Sequence, residues 1–501
     1  MDSLKVLFST MVFIYGAFIL LMYGVLAVLS YRSIQLFRKH NSFTDFNQLL
    51  ESPLAPGISV IAPAFNEGLT IISNVRSLLT LNYTRFEVII INDGSTDDTL
   101  EKLIREYELT EIEFAYHERI KTQAVRRFFK SVNIAYDKLL VIDKINGKSK
   151  ADASNAGINA ASFNYFLCTD VDSVLEKDTL LRMVKPFMTE ELRQIKEVGE
   201  PCPECGHVHV KEDSKRVIAT GATLRIANSC EVEAGEILRV RPPVNPLPRF
   251  QEMEYVRSYV LGKVGWSMMN SVPNVSGGLG LFDKEIAIKA GGYDSKSFAE
   301  DMDIVTRMSA YMMDNHQQYA IRYIPTTQCW TEGPPNMAVF GRQRTRWGRG
   351  LSEIMNMHSQ LIFNPRYKKL GMLVLPYNLF FEFLAPIIEC VGLIVYLYLI
   401  FTHQVYWVYA TILLVFAYLY SVMITTLAIC WDQLTYRYYR SWREVMGLAL
   451  MAYLEPFIYH PLIMFFALRG YWFFLTGKKT PWGNMQRQGF GQPTASLPKF
   501  K

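Results

Sequence analysis

Val6 to Tyr31 is a run of 26 residues without a charged side chain. At about 1.5 Å per helical residue it exceeds the roughly 30 Å of bilayer hydrocarbon, so the pattern predicts a spanning helix. The run is too long for a cleaved signal peptide, and no small-residue cleavage site follows it. Arg32, Arg38, Lys39 and His40 come next, which by the positive-inside rule holds the downstream chain in the cytoplasm and puts the N-terminus outside. From Cys390 to Trp431 Asp, Glu, Lys and Arg are absent over 42 residues, and only Thr402, His403 and Gln404 interrupt the run. This predicts a hairpin of two crossings, its first helix beginning near Glu382, with Leu370 to Phe381 as an interfacial helix before it. Val445 to Leu468 is long enough to cross, but Glu455, Pro456, His460 and Pro461 stand at its centre, where a break is expected. Basic residues flank it on both sides, Arg437, Arg440 and Arg443 before and Lys478, Lys479 and Arg487 after. It therefore reads as a segment that enters and returns, leaving three crossings; a kinked span with the tail outside is the competing reading.

Between Pro56 and Gly350 short apolar runs alternate with amphipathic stretches, the pattern of an α/β domain. Ile58 to Ala62 and Phe86 to Ile91 read as buried parallel strands around a helical Leu69 to Leu81. Ligands of such sheets bind at the carboxyl ends of the strands, which places Asp93 where a nucleotide would lie. A third strand, Tyr165 to Cys168, runs into Asp170-Val171-Asp172. That triplet is either a solvated turn or two carboxylates on one hard divalent cation. Glu300, Asp301 and Asp303 open a helix whose body is Asp303 to Met313, where acids either cap the dipole or supply a general base. The run Gln343 to Arg349 suits an anionic leaving group, and equally a basic helix beside a membrane. The expected divisions are 1–40, an N-terminal transmembrane helix and basic flank; 41–350, a cytosolic sheet domain; 351–381, interfacial helices; 382–470, transmembrane helices with a broken last segment; and 471–501, a basic cytosolic tail.

Composition narrows the class. Lys plus Arg number 52 and Asp plus Glu 47, a formal charge of +5, too slight for a nucleic-acid footprint. Hydrophobic residues are 50% and charged residues 20%, which suits a soluble domain joined to membrane segments and excludes a small stapled scaffold. Seven Cys is an odd count, with Cys390 and Cys430 in apolar stretches, so a secreted disulfide framework is excluded.

Nine short elements stand in order: PAFNE (63–67), NDGS (92–95), GKSKADASNAG (147–157), DVD (170–172), SGGLGLF (276–282), GGYD (291–294), AED (299–301), TEGPP (331–335) and QRTRW (343–347). Together they resemble the family 2 glycosyltransferases, in the membrane-embedded branch of cellulose, hyaluronan and poly-N-acetylglucosamine synthases. The resemblance implies a GT-A type fold: a cytoplasmic nucleotide-binding α/β sheet combined with transmembrane and interfacial helices. It implies a nucleotide-sugar donor, UDP-N-acetylglucosamine or UDP-glucose, in a pocket of Asn66, Glu67, Asp93, Lys148, Lys150, Asn155 and Asp170. Asp170 and Asp172 would reach Mg²⁺ or Mn²⁺. Asp301 would be the base, with Gln343, Arg346 and Trp347 at the leaving diphosphate and Gly277, Gly278, Glu300 and Trp347 at the acceptor. The implied reaction inverts the anomeric carbon and extends a β-linked polysaccharide, with Glu382, Glu389, Glu455 and His460 either lining an exit path or resting at headgroup depth. A single addition to a lipid-linked acceptor is the alternative, and a non-enzymatic scaffold is disfavoured because the acidic and QxxRW positions are all filled. The implied setting is a bacterial inner membrane, with membrane lipid around the helices, an export partner subunit and no nucleic acid.

One cluster stands apart from the resemblance. Cys202, Cys205, His207 and His209 are zinc-type donors in one knuckle, yet four ligands within eight residues make a cramped tetrahedron. A structural Zn²⁺, a reduced surface loop and a redox pair all fit that spacing.

Overall fold

The computed structural model describes residues 2–41, 55–197, 215–233 and 235–478. The Cys202 to His209 cluster and the tail after Lys478 lie outside the described residues. The strands in chain order are β1 (Ile58–Ala64), β2 (Phe86–Asn92), β3 (Leu109–Ile112), β4 (Val125–Ser131), β5 (Leu139–Lys144), β6 (Tyr165–Thr169), β7 (Val174–Leu175), β8 (Arg216–Ile226), β9 (Glu231–Glu233), β10 (Glu236–Arg239), β11 (Leu279–Asp283) and β12 (Tyr319–Thr331). All but the β9 and β10 hairpin join one sheet in the order β3-β4-β5-β2-β1-β6-β11-β8-β12-β7. The strands β5, β2, β1 and β6 are mutually parallel, with Ile58 opposite Phe86 and Tyr165, while β11 runs antiparallel between β6 and β8. Ile58, Val60, Ile61 and Val88 to Ile91 are fully buried, which is why these strands read as unbroken apolar runs.

The helices that matter here are α1 (Asp2–Asn41), α2 (Ile71–Leu79), α3 (Thr99–Glu106), α4 (Lys150–Ala160), α5 (Thr179–Glu197), α6 (Pro246–Val256), α7 (Glu300–Asp314), α8 (Met337–Met357), α9 (Ala385–Phe401), α10 (Trp407–Tyr436) and α11 (Trp442–Leu475). The β1-α2-β2 unit stands where the alternation of the sequence puts it. Four stretches among the described residues are long and apolar enough to cross a membrane: Phe13–Lys39, Leu370–Phe401, Ala410–Tyr436 and Trp442–Leu475. Helical turns from Leu370 to Phe383 precede α9, and Leu370, Val374 and Leu375 pack with Met302 of α7 and Ile354 and Met355 of α8.

The last apolar stretch differs from expectation. Rather than breaking at Glu455 to Pro461, α11 runs unbroken for 34 residues with Pro456 and Pro461 inside it. Neighbouring protein supports the disturbed turn: Arg257 holds Glu455 through two hydrogen bonds of 2.7 Å each. Both ends of α11 nonetheless lie against the sheet domain. Near its start Glu444 pairs with Arg239 at 3.6 Å, and just past its end the Lys478 carbonyl accepts from Arg349 at 2.7 Å. Between them α8 and α11 touch backbone to backbone: a Cβ on Gly348 would fall 2.7 Å from the Ala467 carbonyl oxygen, and one on Gly470 2.4 Å from that of Thr345.

A buried charge cluster joins the sheet to α10. Arg225 of β8 is fully buried, donates to Glu252 of α6 at 2.8 Å and to the Tyr439 hydroxyl at 3.1 Å, and pairs with Asp432 of α10. Removing one member of such a cluster strands the others in low dielectric. R225M is therefore expected to lower stability by about 3–5 kcal/mol, read as earlier thermal unfolding of the detergent-solubilised protein. Unfolding at the wild-type temperature would show that Glu252 and Asp432 need no cation.

Candidate active site

The carboxyl ends of β1, β2, β5 and β6 open on one side of the sheet, and the loops that leave them are laced together. Asn66 accepts from the Thr96 amide at 2.8 Å and donates its own amide to Ser95 at 3.0 Å, so the PAFNE and NDGS loops form one wall. Asp93, just past β2, is 6% exposed. Its Oδ1 accepts from Lys144 Nζ at 2.7 Å and from the Gly147 amide at 3.0 Å. Burial pushes the Asp93 carboxyl above its usual range, against the pull of Lys144. Lys144, at the end of β5, is fully buried and also pairs with Asp152 at 2.5 Å. The sequence reading missed this lysine, although a cation closing the apolar run LLVID was a visible signal.

Lys150, in the first turn of α4, reaches across to β6. Its Nζ lies 2.5 Å from Asp170 Oδ1 and 2.5 Å from the Gly277 carbonyl oxygen. Against burial, the charge of Asp170 above all, with Cys168 and Glu300 after it, holds the ammonium pKa up. Asp172 follows two residues on and is 5% exposed. Two carboxylates at one strand end, with room for diphosphate oxygens and water, match the hard-oxygen donor set of Mg²⁺ or Mn²⁺.

The SGGLGLF and AED elements close the other side. A Cβ on Gly277 would stand 3.8 Å from Asp301 Oδ2, and one on Gly278 3.4 Å from Asp170 Oδ2, so this loop passes between the two acids. Asp301 and Glu300 open α7, both partly exposed to the cavity. Burial first, and the charge of Asp301 second, lift the Glu300 carboxyl to about 7. Asp303, in the same first turn, faces away and is spent on Arg307 at 2.8 Å and His358 at 2.9 Å. From α8, Gln343, Arg346 and Trp347 line the cavity. Arg344 lines it too, and donates to both oxygens of Glu254, one at 2.8 Å, and to the Tyr459 hydroxyl of α11 at 2.7 Å. Its guanidinium lies 4.4 Å from the Trp347 ring, so the same residue ties α8 to the apolar helices and backs Trp347.

These walls enclose a single cavity of about 3050 Å³. It begins at Asn66, Glu67, Asp93, Lys148, Lys150, Asp170 and Asp172, passes Gly277, Gly278, Glu300, Asp301, Gln343, Arg346 and Trp347, and continues among the apolar helices to Tyr23, Glu382, Glu389, Glu455 and His460. Three non-glycine residues on its wall hold positive φ: Asn66 at 57°, Lys148 at 55° and Ser276 at 114°. Strain of this kind concentrates at functional sites. One expected residue is elsewhere. Asn155 is 2% exposed and does not line the cavity; its amide donates to the Tyr293 carbonyl and its oxygen accepts from the Tyr293 amide, each at 2.8 Å. It therefore fixes α4 to the GGYD turn rather than meeting a donor. Beyond Lys144, the sequence reading missed Arg225, Arg257 and Lys263, whose partners lie 27 to 214, 168 to 198 and 13 positions away, and it took Arg344 only as part of the basic run, without its partners 90 and 115 positions away.

Comparison with known proteins agrees with this geometry. The family model Glycosyl transferase family 2 matches residues 59–195, and Glycosyl transferase family group 2 matches residues 249–439. The chain is similar to the poly-beta-1,6-N-acetyl-D-glucosamine synthase of Staphylococcus epidermidis, 26% identical over 314 residues, which is 62% of this chain and 59% of that protein. It is 24% identical over 299 residues to the same-named synthase of Staphylococcus aureus strain COL, 60% of this chain and 55% of that one. The matches thus span a little over half the length of those relatives. Among solved structures, a mannosyltransferase from Pyrobaculum calidifontis in complex with GDP-Man and Mn2+ aligns over 91% of this chain and 99% of its own, at 16% identity and a TM-score of 0.45. With the two family models matching most of the sheet domain and the helices up to residue 439, and with eight of the nine motifs contributing residues to one cavity, the chain belongs to the family 2 glycosyltransferases.

Proposed function

We propose that this chain is an inverting, metal-dependent transferase that moves a sugar from a UDP donor onto a growing β-linked polysaccharide, and that the product leaves between its own helices. One observation carries the reading: a single cavity joins the strand-end loops, the acid Asp301 and the apolar helices without a dividing wall. A long polar chain cannot partition into lipid, so an enzyme that extends one benefits from a path that begins at its own acceptor site. N-acetylglucosamine is the preferred sugar because the synthases it resembles carry that sugar in their names; glucose is the next candidate.

The reaction is a single displacement. The acceptor hydroxyl passes its proton to Asp301 while its oxygen bonds to the anomeric carbon, and the bond to the diphosphate breaks with its electron pair on the leaving group. A divalent cation held by Asp170 and Asp172 would offset the charge that grows there. Arg346, from α8, adds a fixed cation to the same task, and Trp347 gives the acceptor sugar a flat face. Lys148 and Lys150 lie on the donor side, where the diphosphate needs cations.

The placement of α11 supports a topology with three crossings. With Glu444 and Lys478 both held by arginines of the sheet domain, α11 lies in the membrane plane on the cytoplasmic side, and α1, α9 and α10 cross. The N-terminus is then outside and the catalytic domain cytoplasmic, at a bacterial inner membrane. The polysaccharide meets an export partner beyond the bilayer.

Purified protein given UDP-sugars with Mg²⁺ or Mn²⁺ is expected to release UDP with one donor and build a long product; chelation with EDTA should stop it. A product of one added sugar, made only with a lipid acceptor, would overturn the processive reading. D301N should bind UDP-sugar within about twofold of wild type, yet turn over at less than about a tenth of its rate, since a lost general base costs about 10² to 10⁴. Activity above that tenth removes the base assignment. Glu300 supplies a pH test: its folded carboxyl keeps a proton up to about 7, while an unfolded one releases it near 4.5. The native state binds the extra proton in that window, so stability falls as pH rises through it, and E300Q should flatten the slope of thermal midpoint against pH. Parallel slopes for the two proteins would contradict the raised carboxyl.

A further inference from the structure

Helix α6 continues through a π-helical stretch, Arg257–Lys263, into Val264–Met268. π-helical turns are rare and concentrate at functional sites. This one carries a charged side chain at each end, and both line the cavity. Arg257, at the first end, is fully occupied by Glu455 and by the Thr425 hydroxyl at 2.8 Å. Lys263, at the other, is 9% exposed and forms no ion pair among the described residues. Its Nζ donates to Ser276 Oγ at 3.0 Å and lies 4.7 Å and 5.7 Å from the ring centres of Tyr259 and Tyr323. Burial pushes this ammonium down to about 8, against the pull of Asp301. A cation kept in so dry a place without a carboxylate partner is expensive, and the mechanism above gives it no task.

Its one hydrogen-bond partner supplies the task. Ser276 holds φ at 114°, a conformation that is costly for a residue with a Cβ. The next residue, Gly277, offers its carbonyl to Lys150 and its open side to Asp301. Two lysines thus hold adjacent residues of the loop, Lys263 at Ser276 and Lys150 at Gly277, and Asp301 stands beside Gly277. Ring faces of Tyr259 and Tyr323 hold the Lys263 ammonium in place by cation–π attraction, which leaves its proton for Ser276.

We propose that Lys263 is a positioning residue for sugar transfer: its ammonium locks Ser276 in the strained conformation that presents the Ser276–Gly278 loop, and the acceptor lying on it, to Asp301. The proposal rests on the reading of Asp301 as base. It assigns Lys263 to the acceptor side alone, so loss should appear in turnover and not in donor binding.

The test uses the full-length protein in detergent with the donor that the wild type turns over. K263M is expected to lower kcat about tenfold or more while KM for the nucleotide sugar stays within about twofold, and K263R, which keeps the cation, should retain about a third or more of kcat. S276A removes the hydroxyl that accepts from Lys263, so it should lower kcat in the same way, and the K263M/S276A double variant should be no slower than the slower single. Titration with UDP separates misfolding from lost positioning. If K263M binds no UDP, K263R and S276A decide, and S276A at wild-type kcat overturns the proposal. So does K263M with more than about half of wild-type kcat, or losses that multiply in the double variant. A wild type that turns over no donor would instead remove the transferase reading on which the proposal stands.

Discussion

Charge that must stay paired between the sheet domain and the apolar helices shapes this molecule. Arg225, Arg257 and Arg344 come from three separate elements of the soluble domain, and each meets a polar partner on a long apolar helix: Asp432 on α10, Glu455 on α11 and Tyr459 on α11. Burying such a group without its partner is far more costly than burying the pair, so the helices have little freedom to shift against the sheet. The guanidiniums are planar forks that bind two oxygens at once, and Arg257 and Arg344 both use that geometry. The cavity is what this fixed spacing leaves open. It runs from the strand ends in among the apolar helices, which are joined to the sheet domain by these paired charges and by apolar packing of Phe250 and Phe340 against Tyr459.

The same pairs place the chemistry. Arg344 ties α8 to Tyr459 of α11 and lies against the Trp347 ring, and Arg344, Arg346 and Trp347 all line the cavity. Arg349 pairs with Glu353 at 2.9 Å, and Glu353 accepts from the Phe298 amide at 2.9 Å, so the loop that leads into Glu300 and Asp301 hangs from the same helix. The segment that carries Asp301 is therefore tied to the helix that carries Arg346 and Trp347. Lys150 and Lys263 bond adjacent residues of the loop facing Asp301, which gives that loop a rigidity its own glycines would not provide.

Much of this was legible before any coordinates. Strand ends followed by PAFNE, NDGS and DVD are local signals, and a buried parallel strand announces itself as an unbroken apolar run, so the sheet and the position of Asp93, Asp170 and Asp172 could be read directly. The cross-linking arginines could not. Arg225 meets Asp432 across 207 positions and Arg257 meets Glu455 across 198, and nothing near either arginine in the chain marks its partner. The expected break in the last apolar stretch failed for a related reason: proline chemistry is local and argues for a break, while the packing of α11 against α6, α8 and α10 and the pairing of Glu455 with Arg257 are long-range. Asn155 misled in the opposite way, since a polar residue within a motif looked like a ligand contact, yet its amide is consumed by the backbone of Tyr293.

The central claim is that the cavity is a route as well as a site, and a vesicle experiment tests it most directly. Protein reconstituted with its catalytic domain outward receives donor and metal only from the outside. The account predicts that the glycan accumulates inside, resistant to an added β-hexosidase until detergent opens the vesicles. A product made at the full rate but digested entirely from the outside would show that synthesis and passage are separate, and that the opening among the helices is not a path.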